Sequence, residues 1–162
     1  MSNKNKYPHT AFYGIGIMHG TKPVNIGTLW RSAYIFGASF IFTVDKKYKK
    51  QSADVIITPS RIPLYHYRDF ADLKSHLPHG APLVGIELTD NAVYLNEFDH
   101  PRRAVYLLGS ETNGLSDKVL ADCHHVVKLP GNFSLNVAVA GAILMHDRIT
   151  KIPHVLPQRV EV

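Results

Sequence analysis

The sequence predicts an α/β fold, a mostly parallel sheet flanked by helices, and three observations lead there. Short apolar runs rich in Ile, Val and Phe alternate with stretches of helical periodicity along the chain. Pro, Gly, Asn and Asp punctuate the boundaries between them. A length of 162 residues with 45% hydrophobic and 19% charged residues suits one globular domain with one core.

Each element follows from its own signal. "AFYGIGIM" (11–18) reads as a buried strand. Residues 25–37 read as a helix, with Asn25 as its N-cap and Gly37 closing it. On that helix Ile26, Leu29, Trp30, Ala33 and Gly37 gather on one side, and Thr28, Arg31 and Ser32 lie opposite. "SFIFTV" (39–44) and "IPLYHY" (62–67) are strands, and "RDFADLKSHL" (68–77) is a short amphipathic helix. "APLVGIEL" (81–88) and "RAVYLLG" (103–109) are strong strands bounded by turn residues. A short helix near 116–121 precedes the strand "HHVVKLP" (124–130). The last helix, 134–151, starts at Ser134 and is rich in small residues, so it is expected to be buried on most sides. No repeat, low-complexity tract or linker divides the chain, so residues 1–162 are expected to form a single domain with its core at about 11–150.

Charge and composition narrow the functional classes. A net charge of +5 fits a polyanionic partner. Lys46, Lys47, Lys49 and Lys50 surround Tyr48, which is either a solvated loop or a surface for phosphates and a stacked base. The polar N-terminus carries no secretory h-region, and the longest apolar segment, around 135–145, is too short to span a bilayer. One cysteine, Cys123, excludes an internal disulfide and a thiolate metal cluster, so a cytoplasmic, metal-free protein is expected. Glycines at 14, 16 and 20 miss the dinucleotide-binding spacing by one residue, which counts against a small-molecule enzyme on a Rossmann-like sheet.

Three segments place polar residues where burial is expected. In "NIGTLWRSAYIFGA" (25–38) these are Asn25 and Arg31, readable as a cap and a solvent-facing side chain. In "LLGSETNGLS" (107–116) a strand ends at Gly109 and is followed by Ser110 and Glu111, at the kind of strand end where α/β sheets collect ligands. In "KLPGNFSLNVAVAGAILMHDR" (128–148) Asn136 lies in the first turn of an apolar helix, where an unpartnered amide would cost ~1–3 kcal/mol.

Taken together and in this order, the segments resemble the SPOUT methyltransferases, in the SpoU/TrmH branch. The matches are Asn25, Gly27, Arg31, Ala33, Phe36 and Gly37; then Gly109, Glu111, Gly114 and Leu115; then Ser134 through Ala140. The resemblance covers about residues 11–150 and implies a C-terminal deep trefoil knot and a homodimer. It also implies S-adenosylmethionine as cofactor and methylation of a ribose 2′-hydroxyl in tRNA or rRNA. It puts Glu87, Leu88, Gly109, Ser110, Leu129, Ser134 and Leu135 around the cofactor. Asn25, Arg31, Glu111, Ser134 and Asn136 become the polar active-site set, with no metal. Arg31 and the 46–50 lysines are expected to meet RNA, because the chain shows no separate RNA-binding domain. A guanidinium is a poor base, so Arg31 is read as a phosphate clamp. One departure stands out: only Gly131, Asn132 and Phe133 separate Pro130 from Ser134, a shorter loop than the family's usual one. The alternative is a catalytically inactive RNA-binding protein that keeps the fold.

Overall fold

The first strand sets the centre of the molecule. In the computed structural model, which describes residues 11–48, 61–153 and 155–158, β1 (Phe12–Met18) lies between β2 (Phe40–Val44) and β6 (Arg103–Leu108). With β3 (Leu64–Tyr67), β4 (Leu83–Ile86), β5 (Val93–Tyr94) and β7 (His125–Lys128) these form one sheet in the order β3-β2-β1-β6-β4-β7-β5. Every pairing is parallel.

Alternation along the strands builds two cores. Tyr13, Ile15 and Ile17 of β1, with Tyr106 and Leu108 of β6, meet Leu29 and Ala33 of α1 (Pro23–Ile35) and Leu144 and Met145 of α4 (Val137–Lys151). Val105 and Leu107 face the other way, toward Leu73 of α2 (Phe70–Ser75) and Val119 of α3 (Asp117–Ala121). Fully burying one such aliphatic side chain contributes ~1.5–3 kcal/mol. The glycines of β1 belong to this packing. A Cβ on Gly14 would stand 2.2 Å from Phe40 Cε2, and one on Gly16 2.4 Å from Phe42 Cδ2. They make room for aromatic rings.

Helix ends correct two expectations. α1 begins at Pro23 with Lys22 as N-cap, so Asn25 is its third residue and caps nothing. Proline fits the first helical position because its fixed φ and missing N–H cost nothing there. α4 begins at Val137, not Ser134. Asn136 is the N-cap, its Oδ1 accepting from the N–H groups of Ala138 (2.9 Å) and Val139 (3.3 Å). The closure of α1 follows expectation. Gly37 adopts φ +75°, its N–H bonds the Tyr34 carbonyl at 3.2 Å, and the Ala38 N–H reaches the Ala33 carbonyl at 2.8 Å. β5 was not foreseen; it has two residues, both exposed.

At the amino ends of the strands a buried guanidinium ties the fold together. Arg148 of α4 donates to the carbonyls of Pro101 (2.7 Å) and Arg102 (2.7 Å) and to the Tyr106 hydroxyl (2.8 Å). It also lies 4.9 Å from the Tyr13 ring centre. His100 bridges that hydroxyl (2.7 Å) to Asp147 (2.9 Å), and burial pushes its pKa down. No helix of the described residues is long and apolar enough to cross a membrane.

Candidate active site

The carboxyl ends of β4, β6 and β7 open into a cavity of about 390 Å³, within the ~300–1,000 Å³ typical of small-molecule sites. Its wall is a turn that only glycine permits. Gly109 follows β6, and the chain folds back so that Gly114 bridges to Ser110, with the Gly114 N–H on the Ser110 carbonyl at 2.9 Å. A Cβ on Gly109 would stand 2.3 Å from the Gly114 carbonyl carbon. Gly114 has φ +58°, and a Cβ there would meet Glu87 Oε2 at 2.6 Å. Glu87, at the end of β4, fastens this turn: it accepts from the Leu115 N–H (2.7 Å) and the Leu88 N–H (3.1 Å). All seven expected cofactor residues line the cavity: Glu87, Leu88, Gly109, Ser110, Leu129, Ser134 and Leu135. Leu129 and Phe133 line it too, so the short loop after Pro130 still forms part of the wall.

Beside this cavity three side chains from two distant segments close on the Glu111 carboxylate. Asn136 donates to Glu111 Oε1 at 2.6 Å and to Asn25 Oδ1 at 3.1 Å, while Asn25 donates to Glu111 Oε1 at 3.0 Å. The orientation of the Asn136 amide follows from its position. Its oxygen is taken by the N-terminus of α4, so its NH₂ must face Glu111. Lys22 Nζ donates to Glu111 Oε2 at 2.6 Å. The Lys22 bond, helped by the two amides, holds the Glu111 carboxyl below its usual range, so it is ionised at neutral pH. Asn25, buried under the cluster, is therefore a partner of Glu111.

The other expected residues fall elsewhere. Ser134 lines the cavity but is not bonded to this cluster. Arg31 is exposed on α1, lines neither the cavity nor the cluster, and makes no hydrogen bond or ion pair among the described residues. Lys46 and Lys47 are exposed just past β2, whereas Lys49 and Lys50 lie outside the described residues. Sequence reasoning passed over Lys22. Its signal is a cation at a helix N-cap, where Ser, Thr, Asp or Asn is favoured and the helix dipole disfavours positive charge. A local rule broken at a site is a pointer to a tertiary partner.

Known proteins resemble this chain in sequence and in fold. An rRNA methyltransferase 1, mitochondrial, of Schizosaccharomyces pombe is 30% identical over 91% of this chain and 54% of its own length. A tRNA (guanosine(18)-2′-O)-methyltransferase of Escherichia coli is 27% identical over 78% of this chain and 58% of that protein. The chain thus spans little more than half the length of these relatives, and 10% of a Saccharomyces cerevisiae relative with the same tRNA methyltransferase name. The crystal structure of an AdoMet-bound rRNA methyltransferase from Sinorhizobium meliloti superposes with a TM-score of 0.74 over 91% of this chain and 59% of that one. At 22% identity that likeness is one of fold. The sequence pattern of the SpoU rRNA Methylase family matches residues 15–146, which include the second half of β1, the Glu111 turn and most of α4, and the chain belongs to that family.

Proposed function

We propose that this chain transfers the methyl group of S-adenosylmethionine to a ribose 2′-hydroxyl of tRNA or rRNA. The observation that carries the reading is the junction of the cavity with the Lys22–Asn25–Glu111–Asn136 cluster, which share Glu111. The cavity fits the cofactor: the Gly109–Gly114 turn and Leu88 line it, with Leu129, Leu135 and Phe133 among its apolar residues. When bound, the cofactor would supply an electrophilic methyl on a sulfonium to the ribose oxygen, the S–C electron pair staying on sulfur as a neutral thioether and the hydroxyl proton passing to water. The residues of this chain act on that step by holding and aligning. Glu111 already accepts from three donors, so we read it as the anchor of the cluster, not as the proton acceptor.

We further propose a homodimer in which Arg31 reaches the partner's site and clamps an RNA phosphate. Two exposed stripes support it: Val24, Thr28, Arg31 and Ile35 on α1, and Val139, Ile143 and His146 on the adjacent α4. Such apolar surface is normally covered. A knot is supported by the position of β7. It is the last strand in sequence but lies between β4 and β5, and the segment leaving it runs along the cavity wall formed by the earlier loops. Exposed Lys46 and Lys47 are read as part of the RNA path. The single cysteine suits the cytoplasm.

The test is methyl transfer from labelled cofactor to unmodified tRNA transcripts and protein-free rRNA, followed by nucleoside mass spectrometry. One new 2′-O-methylated nucleotide is the expected result. Cofactor affinity without any transfer would instead identify a binding protein. Arg31→Lys keeps the charge but loses the bidentate fork, and should lose most of the activity.

A further inference from the structure

On the face of the sheet that packs against α2 and α3, burial is lost toward the amino ends of the strands. Phe42, Val105 and Leu107 are fully buried there, whereas Tyr65 is 49% exposed and Phe40 and Phe12 are half-buried. The strand register sets these three aromatics beside an arginine. Tyr65 lies on the edge strand β3, its ring 5.7 Å from that of Phe40 on β2. The Phe40 ring occupies the space over Gly14 of β1, two residues past Phe12, and Phe12 pairs with Arg103 of β6. Paired residues of neighbouring parallel strands share a face. Tyr65, Phe40, Phe12 and Arg103 therefore form one row across four adjacent strands.

Charge at this end of the sheet has one sign. Arg61 precedes β3, and Arg102 and Arg103 open β6; all three are exposed. Their side chains make no hydrogen bond or ion pair among the described residues. Residues 11–17, 38–44, 61–67 and 102–108, which hold the four strands, contain no Asp or Glu. Open rings beside unpaired guanidinium groups match a nucleic-acid strand whose bases are unpaired: base faces stack on the rings, and phosphates meet the arginines. A double helix keeps its base faces hidden, and an apolar partner would leave the guanidinium groups unanswered. The row is also remote from the cofactor cavity. Arg103 and Gly109 mark opposite ends of β6, roughly 20 Å apart.

We propose that the Tyr65–Phe40–Phe12 row is a second RNA contact, which stacks unpaired bases while Arg61, Arg102 and Arg103 hold the adjoining phosphates. The assignment rests on the reading of RNA as partner, not on the methyl step. It is tested in the full chain with Tyr65→Ala, Tyr65→Leu, Tyr65→Trp and Arg103→Gln. Affinity is measured across a salt series for a single-stranded RNA of mixed sequence and for a fully paired RNA duplex. Calorimetry gives S-adenosylmethionine affinity, and methyl transfer to tRNA transcripts and protein-free rRNA is followed in parallel. Tyr65→Ala and Tyr65→Leu should each weaken single-strand binding about 10-fold, with duplex and cofactor affinity unchanged. Tyr65→Trp should bind at least as tightly as wild type. Arg103→Gln should flatten the slope of log affinity against log salt by about 0.7; as a surface change it keeps the test open if a Tyr65 variant melts early. Wild-type single-strand affinity in Tyr65→Ala would overturn the assignment. The same result in Tyr65→Leu alone would overturn it too, because bulk and not stacking would then be what counts. Unchanged RNA binding with altered sedimentation would instead give this face to a second copy of the chain. Methyl transfer by wild type with single-strand binding indifferent to Tyr65 refutes this assignment alone. Tyr65-dependent RNA binding without any transfer refutes the methyl-transfer reading alone.

Discussion

Gly109→Ala probes the cavity wall with a single carbon. The added Cβ would lie 2.3 Å from the Gly114 carbonyl carbon and 2.6 Å from Gly114 Cα and Leu115 N, all backbone atoms that cannot rotate away. Non-bonded carbons settle at ~3.5–4.0 Å, so the 110–114 turn must retreat by roughly 1 Å. That retreat strains the Gly114–Ser110 bond (2.9 Å) and the Glu87–Leu115 bond (2.7 Å). One neutral and one charge-assisted hydrogen bond together are worth about 2–4 kcal/mol. The same turn carries Glu111, and a displacement of this size at a reacting centre can cost ~100-fold in rate. The expected result is a protein that melts earlier, binds S-adenosylmethionine weakly by calorimetry and transfers methyl groups about 100-fold more slowly. Wild-type cofactor affinity together with wild-type turnover would show that this turn does not form the donor site.

Other perturbations separate the remaining roles. Asn136→Asp keeps a good N-cap for α4 but sets a second carboxylate against Glu111 at the 2.6 Å contact; circular dichroism should show the helix retained while methyl transfer is lost. The depressed Glu111 pKa gives stability that is fully present above the ordinary carboxylate value of 4.5 and is lost as pH falls through the lower folded value. The melting difference between wild type and Glu111→Gln should therefore hold steady from neutrality to about pH 5 and shrink below it. Arg148→Met removes the guanidinium donor of the Pro101 carbonyl and leaves the Arg102 carbonyl only the Phe12 N–H at 3.1 Å, a loss of about 2–4 kcal/mol after relief of the guanidinium's own burial. Melting should drop by roughly 5–15 °C, with cofactor affinity intact below the transition.

Local chemistry made much of this molecule readable. The Gly37 stop, the strand ends shortly before Gly109 and Pro130 and the alternation of apolar runs are all decided by residues close in sequence. Asn25 was legible as important and misread as a cap, because a polar residue near a helix start satisfies the capping rule whether or not it caps. Only the fold shows that Pro23 moves the start upstream and turns the Asn25 amide to a carboxylate 86 residues away. Asn136 was misplaced the other way: read inside the helix, it is the cap, and the same geometry aims its amide at Glu111. Lys22 escaped notice since its partner lies 89 residues on. Two-residue β5 has no periodicity to detect.

The slot that β7 fills also bears on how the chain is made. A sheet grown strictly in order of synthesis would add each new strand at an open edge, yet here β4 and β5 must wait apart until β7 arrives between them. Until residues beyond His125–Lys128 have left the ribosome, one side of β4 is a bare, parallel, hydrophobic edge, the kind of surface that nascent chains use to stick to one another. Non-local pairing of this sort is slow to form. Truncation within the last strand should consequently be met in cells by chaperone capture and aggregation, not by a shortened but tidy domain.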